Sequence, residues 1–500
     1  MSDFTSMVLS NGLALNQRLA WIAANSIDWI FKRDTLIQSG RTWFELVHDG
    51  DLMAVRYYGL PDESEIQLVD GTTKPIEREQ YDVPLVLVPP LGVTTETFDL
   101  MPQRSLVRYM AASGFKTYLV DWGKPGRQHA RLDLRDYSYS MLGDALQKVR
   151  EHSGSDTVSM MGWCMGGLLC LLHQGQVQDP NVRNIITVAS PIDMESGRGA
   201  IAGLAGAAFN LDGPAKLVSN YTKLRVKALD PARLAVPPWL TTLAFKMTDP
   251  VGSVTSYWDL VTRLSDREYV KSFSTTSDYL NHMLLYPGGV LQDMAVKVAG
   301  ENQLAKGRVE VRDEVARLDD IRSNLLVFAG ETDILVPAEI AEKVVEIVPS
   351  QDKEFRLAPG GHMGVIIGSK AQNAVWAQSA QWLASRSVLG PKKVGTEAKS
   401  NKVGKANGRV TPKSKTESRS KAGRKISATS KPGTRAKAKA KVKLRTKAES
   451  KTKARPKTKA KSNTRAKSGI QTKSKVSATL KKKSIPKTRA KAKTKTKTTP

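Results

Sequence analysis

The sequence predicts an α/β fold: a largely parallel sheet covered by helices, interrupted by a mostly helical cap and followed by a disordered Lys-rich tail. Three observations predict it. Short apolar runs alternate with helical segments between residues 84 and 190, the rhythm of a parallel sheet with crossover helices. The run Thr157-Val-Ser-Met-Met-Gly-Trp-Cys-Met-Gly-Gly-Leu168 reads as strand, sharp turn, helix. Positive charge is concentrated at one end. From Pro391 onward there are 39 Lys and Arg against 3 Asp and Glu, whereas residues 1–390 hold 38 against 45. The body is therefore near −7 and the tail near +36, and the net +29 describes neither. The expected segments are 1–80, an N-terminal helix and hairpin; 81–194, the first part of the core; 195–318, the cap; 319–390, the second part of the core; and 391–500, the tail.

Residues 13–37 carry Leu15, Leu19, Ile22, Trp29 and Ile30 near helical spacing, with Asn16, Gln17 and Arg18 opposite. The apolar face is expected to pack on the body, or else to meet a polymer granule or a partner helix. Thr42–Leu60 reads as a hairpin, because two β-rich runs flank His48-Asp49-Gly50-Asp51. Pro84–Val88 is a continuous apolar run, as in a strand covered on both faces. Arg104–Ser113 is helical, and Phe115–Val120 is the next strand, ending at Asp121, whose carboxylate is expected to brace the following loop. Leu142–Glu151 is a helix and Asn184–Ala189 a strand. Residues 195–318 break the rhythm with helical stretches and Gly/Ala- or Pro-rich interruptions such as Gly203–Ala208, which suits a lid above the sheet edge. The sheet resumes at Leu325–Ala329 and Phe355–Leu357, and Trp376–Ser387 closes the core as a helix.

The turn Gly162-Trp163-Cys164-Met165-Gly166 has the nucleophile-elbow pattern, with cysteine at the nucleophile position. The elbow residue is strained, so its neighbours two positions away must be small. A helix N-terminus beneath the sulfur favours negative charge there. Downstream, Asp333 lies in Gly330-Glu331-Thr332-Asp333 after one strand, and His362 lies in Gly360-Gly361-His362-Met363-Gly364 after another. The order Cys164, Asp333, His362 is the nucleophile–acid–histidine order of an α/β-hydrolase fold. Histidine would take the thiol proton, and aspartate would fix the imidazole tautomer. Glu331 is the nearby competitor for the acid. His48, His129, His152, His173 and His282 lack a glycine-flanked loop after a strand. The expected oxyanion donors are the backbone N–H of Met165 and one from Leu91 or Gly92, in Pro89-Pro90-Leu91-Gly92 after the first core strand. Cysteine suits an acyl group that arrives as a thioester. Thiol–thioester exchange is nearly isoenergetic, so the acyl-enzyme stays reactive.

Cys164 and Cys170 are the two cysteines, six residues apart on one strand–helix unit. A disulfide framework is not expected, and Cys170, in Leu168-Leu-Cys-Leu-Leu172, reads as a small buried hydrophobe. No signal-peptide pattern and no run of about 18 apolar residues is present, which points to a cytoplasmic protein without a membrane span. No Cys/His metal spacing and no glycine-rich phosphate loop is found, so no metal and no cofactor is expected.

Six stretches together make the chain resemble the polyhydroxyalkanoate synthases, over roughly residues 80–388. They are Val88-Pro-Pro-Leu91, Asp99-Leu-Met-Pro-Gln-Arg-Ser-Leu106, Tyr118-Leu-Val-Asp-Trp-Gly123, Gly162-Trp-Cys-Met-Gly-Gly167, Gly330-Glu-Thr-Asp333 and Gly361-His-Met-Gly-Val365. The resemblance is to the short kind that works with a second subunit. It implies an α/β-hydrolase core with a cap, and polymerisation of (R)-3-hydroxyacyl-CoA into a storage polyester with release of CoA. Cys164 would carry the growing chain, His362 would activate the thiol and the incoming hydroxyl, and Asp333 would support that histidine. The implied partners are the CoA thioester, the polyester or granule surface, and a second synthase subunit or another copy of the chain. One departure stands out: the family's Trp…Asp pair before a Pro-Gly is here Tyr279-Leu-Asn281…Tyr286-Pro-Gly288. A Cys-dependent thioesterase or polyester hydrolase, and a granule-associated DNA-binding protein without polymerase activity, are the alternatives.

Residues 391–500 hold almost nothing to bury, and their Ala-Lys-Ala-Lys and Thr-Lys pieces resemble the tails of histone-like bacterial proteins. Spread positive charge without aromatic residues fits phosphate-backbone contact by counterion release, with DNA or another polyanion as the ligand and a granule or nucleoid as the place.

Overall fold

A computed structural model describes residues 2–196, 226–247 and 250–388. The Gly203–Ala208 stretch of the expected cap and the whole basic tail, 391–500, lie outside the described residues.

Eight strands build the main sheet: β1 (Glu45–Asp49), β2 (Ala54–Tyr58), β3 (Leu85–Val88), β4 (Thr117–Asp121), β5 (Val158–Trp163), β6 (Val182–Val188), β7 (Asn324–Gly330) and β8 (Lys353–Ala358). Their spatial order is β1-β2-β4-β3-β5-β6-β7-β8. From β4 to β8 every neighbouring pair is parallel. The hairpin expected at 42–60 does more than stand beside the core. Its β2 pairs antiparallel with β4, Ala54 opposite Asp121, so the sheet is mixed at that edge.

Alternation along each strand divides the core into two layers. Val86 and Val88 join Leu142, Ala145, Leu168 and Leu172 on one face. Leu85 and Leu87 join Val107, Met110, Ile366 and Trp376 on the other. All four residues of β3 and all six of β5 are buried, which is why β3 reads as a continuous apolar run. The helices fit their faces. In Leu142–Ser153 the buried residues are Leu142, Ala145, Leu146 and Val149, one stripe at helical spacing, and the helix ends on Gly154 in the left-handed conformation. Leu106–Ala112 begins on Ser105, whose hydroxyl accepts from the Arg108 N–H.

The segment expected as cap is helical over Pro238–Lys246, Pro250–Thr262 and Arg267–Asn281. Its end is not cap. Arg308–Val311 and Glu314–Arg317 pair as a hairpin, and Val309, Val311, Ala316 and Leu318 belong to the core layer beneath Met165–Val177. Arg308–Val311 buries every second residue, a strand signature that the helical reading of 195–318 passed over.

The N-terminal helix runs over Ser2–Phe31 and stops earlier than the expected residue 37. Its contacts reverse part of the expectation. Asn25 and Asp28 receive the Arg267 guanidinium at 3.0 and 2.6 Å, and Trp29 packs near Leu36, Leu260 and Val270. Leu15, Leu19 and Ile30, expected on the packed face, are exposed. Polar groups tie this helix down, and most of its apolar face is left outward.

Candidate active site

The site is assembled at the C-terminal ends of β3, β5, β7 and β8. Cys164 directly follows β5 and is the N-cap of the helix Met165–Val177. Its φ of 51° and ψ of −118° are strained for a residue with a Cβ, of the order of 1–3 kcal/mol. Three glycines allow the turn. A Cβ on Gly162 would come 2.3 Å from the Gly166 carbonyl carbon, one on Gly166 would come 2.0 Å from the Val88 oxygen, and one on Gly167 would come 2.2 Å from Ser190 Oγ. Two hydrogen bonds hold the strained peptide: Cys164 N–H donates to the Val188 carbonyl at 2.8 Å, and Ser190 Oγ donates to the Cys164 carbonyl at 2.9 Å. The thiol is half-buried.

Asp333 lies in the loop after β7 and His362 in the loop after β8. His362 Nδ1–H donates to Asp333 Oδ2 at 2.8 Å, with both side chains buried. The other carboxylate oxygen of Asp333 accepts the N–H groups of Leu335 and Val336 at 2.8 and 2.9 Å. A carboxylate held this way cannot swing, so it orients the ring. Glu331, the competing acid, is exposed. The His362 loop is pinned from below by Trp163, whose indole N–H donates to the His362 carbonyl at 3.2 Å and whose ring lies 5.4 Å from the imidazole.

Burial alone would lower the proton affinity of His362. The Cys164 side chain and the Asp333 hydrogen bond more than reverse this, and the imidazole is held above its ordinary value, at about 10. Nε2 has no hydrogen-bond partner of good geometry among the described residues. That is the nitrogen free to exchange a proton with Cys164.

The remaining expected positions also gather here. Met165 is the first residue of its helix, where the N–H has no intrahelical partner. Leu91 and Gly92 follow β3. Gly92 has φ +81°, and its carbonyl accepts the Leu284 N–H at 2.8 Å, which anchors cap to core. Trp122 Nε1–H donates to the Pro89 carbonyl at 2.8 Å and fixes the start of this loop.

The other histidines are spent elsewhere. His173 is buried, bonded to the Ser138 carbonyl and pushed down to about 4 by burial, which makes it a neutral core group. His152 Nδ1 meets the Tyr118 hydroxyl at 2.8 Å. Cys170 is fully buried, and burial pushes its thiol up. Asp121 braces its loop as expected: it pairs with Arg56 and accepts the Gly123 N–H at 2.9 Å. The two departures in the cap have partners of their own. Tyr279 is buried with its hydroxyl on Thr97, and Asn281 accepts from Lys246 at 2.7 Å.

Sequence reasoning did not single out Trp163, Ser190, Tyr137 or Tyr286 as parts of this centre. Ser190 had a local signal, since it ends the strand next to the elbow. The other three depend on contacts between distant segments.

Residues 84–369 match the family of the alpha/beta hydrolase fold, and the chain belongs to that family. The more particular resemblance, to polyhydroxyalkanoate synthases, is found as well. The chain is 27% identical to the poly(3-hydroxyalkanoate) polymerase subunit PhaC of Haloferax mediterranei over 63% of its own length and 61% of that protein. It is 25% identical to the PhaC subunit of Haloarcula marismortui over 63% of its length and 64% of that protein. It is 26% identical to the PhaC subunit of Allochromatium vinosum over 59% of its length and 79% of that protein. The chain thus spans somewhat less than two thirds of the two haloarchaeal relatives. Among the described residues, no helix is long and apolar enough to cross a membrane.

Proposed function

We propose that the protein is an acyltransferase that polymerises (R)-3-hydroxyacyl-CoA into polyhydroxyalkanoate, releasing CoA through an acyl intermediate on Cys164. The observation that carries this reading is a cysteine at a strained elbow, on the same sheet edge as a buried imidazole hydrogen-bonded to Asp333.

His362 Nε2 takes the Cys164 proton as the sulfur attacks the thioester carbonyl. The oxygen that becomes negative is received by the N–H of Met165 and of Leu91 or Gly92. Collapse expels CoA, which takes the proton from the imidazolium, and leaves the acyl group on sulfur as a thioester. The 3-hydroxyl of another 3-hydroxyacyl group then gives its proton to His362 and attacks that thioester. The new C–O bond forms the ester, the C–S bond breaks, and the proton returns to sulfur. Asp333 holds Nδ1–H throughout, so Nε2 is the face that works. Neither a metal nor a further cofactor is needed for this proton traffic.

The reading extends to the surroundings. The protein would work in the cytoplasm at a granule surface, as a homo-oligomer or with a second synthase subunit. The 391–500 segment would hold DNA or another polyanion through phosphate contacts, a link between granule and nucleoid. Retention on DNA should fall steeply with salt and vanish when 391–500 is removed. Retention that survives either change would sink the electrostatic account.

The test of the main reading is to mix the protein with (R)-3-hydroxybutyryl-CoA and longer 3-hydroxyacyl-CoAs, and to measure free CoA and insoluble polyester together. CoA with polymer, both lost in Cys164→Ala, supports the synthase. CoA with free hydroxy acid alone would make the protein a thioesterase. Neither product, with a candidate second subunit also present, would leave a non-polymerising granule or DNA-binding protein.

A further inference from the structure

We propose that Tyr286 and Tyr137 form a recognition subsite for the 3-hydroxyl group of the acyl chain carried on Cys164. The proposal rests on the acyltransferase reading above and names how that site would tell a 3-hydroxyacyl group from an acyl group without the hydroxyl.

Tyr286 comes from the cap and is clamped onto the loop that follows β3. Val236 N–H donates to the Tyr286 carbonyl at 2.9 Å, and Tyr286 N–H donates back at 3.0 Å. Two residues earlier, Leu284 N–H donates to the Gly92 carbonyl at 2.8 Å. The ring lies against Gly92: a Cβ there would stand 3.2 Å from Tyr286 Cδ2. The phenol is therefore seated beside an expected oxyanion donor.

Tyr137 approaches from the core side. It sits in a π-helical turn, Asp136–Met141, a local widening that often marks functional sites. Its ring meets the Trp122 ring edge-on at 5.4 Å, and Trp122 in turn holds the Pro89 carbonyl. Tyr137 is 0% exposed, and its hydroxyl has no partner among the described residues. Buried hydroxyls are nearly always bonded, and this one is left with its hydrogen-bonding capacity open. Leu91, Met165, Tyr137 and Tyr286 all belong to, or pack against, one core layer, and Cys164 packs against the other.

Burial raises Tyr286 first, and then Cys164 and Tyr137 raise it further. Burial, with Asp136, raises Tyr137. Both therefore keep their O–H at neutral pH, and each can donate or accept. An acyl group on Cys164 with its carbonyl oxygen at Met165 and Gly92 places C3 two bonds from the carbonyl carbon. A hydroxyl there needs one donor and one acceptor near Gly92, and a phenol pair supplies both. A site built to bond a substrate hydroxyl rejects the analogue that lacks it, because the site's own polar groups are then stranded.

The test uses the full chain with Tyr137→Phe, Tyr286→Phe and the double variant. Acylation of Cys164 is followed in a single turnover by CoA release and intact mass, with (R)-3-hydroxybutyryl-CoA and with butyryl-CoA. The wild type should prefer the hydroxylated thioester, and each single variant should lower that preference at least about 10-fold. Tyr137→Phe should melt no lower than wild type, because the lost hydroxyl had no partner. A lower Tm for that variant, an unchanged preference, or equal slowing with both thioesters overturns the subsite and leaves the acyltransferase reading standing. A wild type acylated by neither thioester overturns both.

Discussion

His362 Nδ1 and Asp333 Oδ2 stand 2.8 Å apart although they belong to loops after two different strands, and the second oxygen of Asp333 is bonded to the N–H groups of Leu335 and Val336. One carboxylate thus shapes its own loop with one oxygen and sets the histidine tautomer with the other.

Asp333→Asn separates those duties. The amide oxygen can still accept from Leu335 and Val336, so the fold should persist. The amide NH2 would face Nδ1 and place the ring proton on Nε2, where it can no longer receive the Cys164 proton. Cys164 acylation should fall by about 10⁴ with little change in Tm. Asp333→Ala also strands the N–H groups of half-buried Leu335 and buried Val336 and should cost a further 1–3 kcal/mol or so of stability, read from urea unfolding. Activity within 10-fold of wild type for the Asn variant would remove the proposed role of Asp333.

The elbow predicts a contrast between glycines. Gly166→Ala puts a methyl 2.0 Å from the Val88 oxygen, where backbone must move, and should destabilise by about 3 kcal/mol or give insoluble protein. Gly364→Ala meets nothing within 4 Å and should be neutral or stabilising by about 0.4–1 kcal/mol. Equal Tm values for the two variants would contradict the close packing of strand and helix at the turn.

Ser190 braces the strained peptide through its bond to the Cys164 carbonyl. Ser190→Ala should cost about 1 kcal/mol of stability. It should also lower kcat several-fold with KM unchanged, since the substrate still binds but the sulfur is less well placed. A change confined to KM would argue against this positioning role.

The raised His362 makes a prediction for pH. Burial works against the raise, and Cys164 and Asp333 produce it. A group whose folded value lies above its unfolded value of 6.5 contributes stability that is fully present below that pH. The contribution is lost as pH climbs toward about 10. Tm should therefore fall between roughly pH 6.5 and 10 in the wild type. It should fall less in Cys164→Ala, where the main raising influence is gone. Parallel Tm–pH curves for the two proteins would show that Cys164 does not act on the ring.

Much of the fold was legible because it is written in local pattern. The continuous apolar run at 84–88 marks a strand covered on both faces, and the Gly-x-Cys-x-Gly turn marks the junction where strand and helix must nearly touch. That Cys164, Asp333 and His362 each follow a strand could be read in the same way. Other features could not. Arg308–Arg317 is a hairpin of the core, because Val309, Val311 and Ala316 fit under Met165–Val177, a fit that no window of sequence contains. Leu15, Leu19 and Ile30 have the spacing of a packed face, yet the helix is held through Asn25, Asp28 and Trp29, because Arg267 lies opposite them.

By itself the sequence determined the order of the strands along the chain, the strained turn at Cys164, the loop positions of Asp333 and His362 and the division of charge between body and tail. Each depends on residues close together in the chain: apolar periodicity, glycine spacing, net charge. Only the tertiary structure decided that Asp333 rather than Glu331 meets His362, that Trp163 pins the histidine loop, and that Tyr286 lies against Gly92. Those depend on which distant segments share a sheet edge, and sheet register and packing, not local propensity, set that.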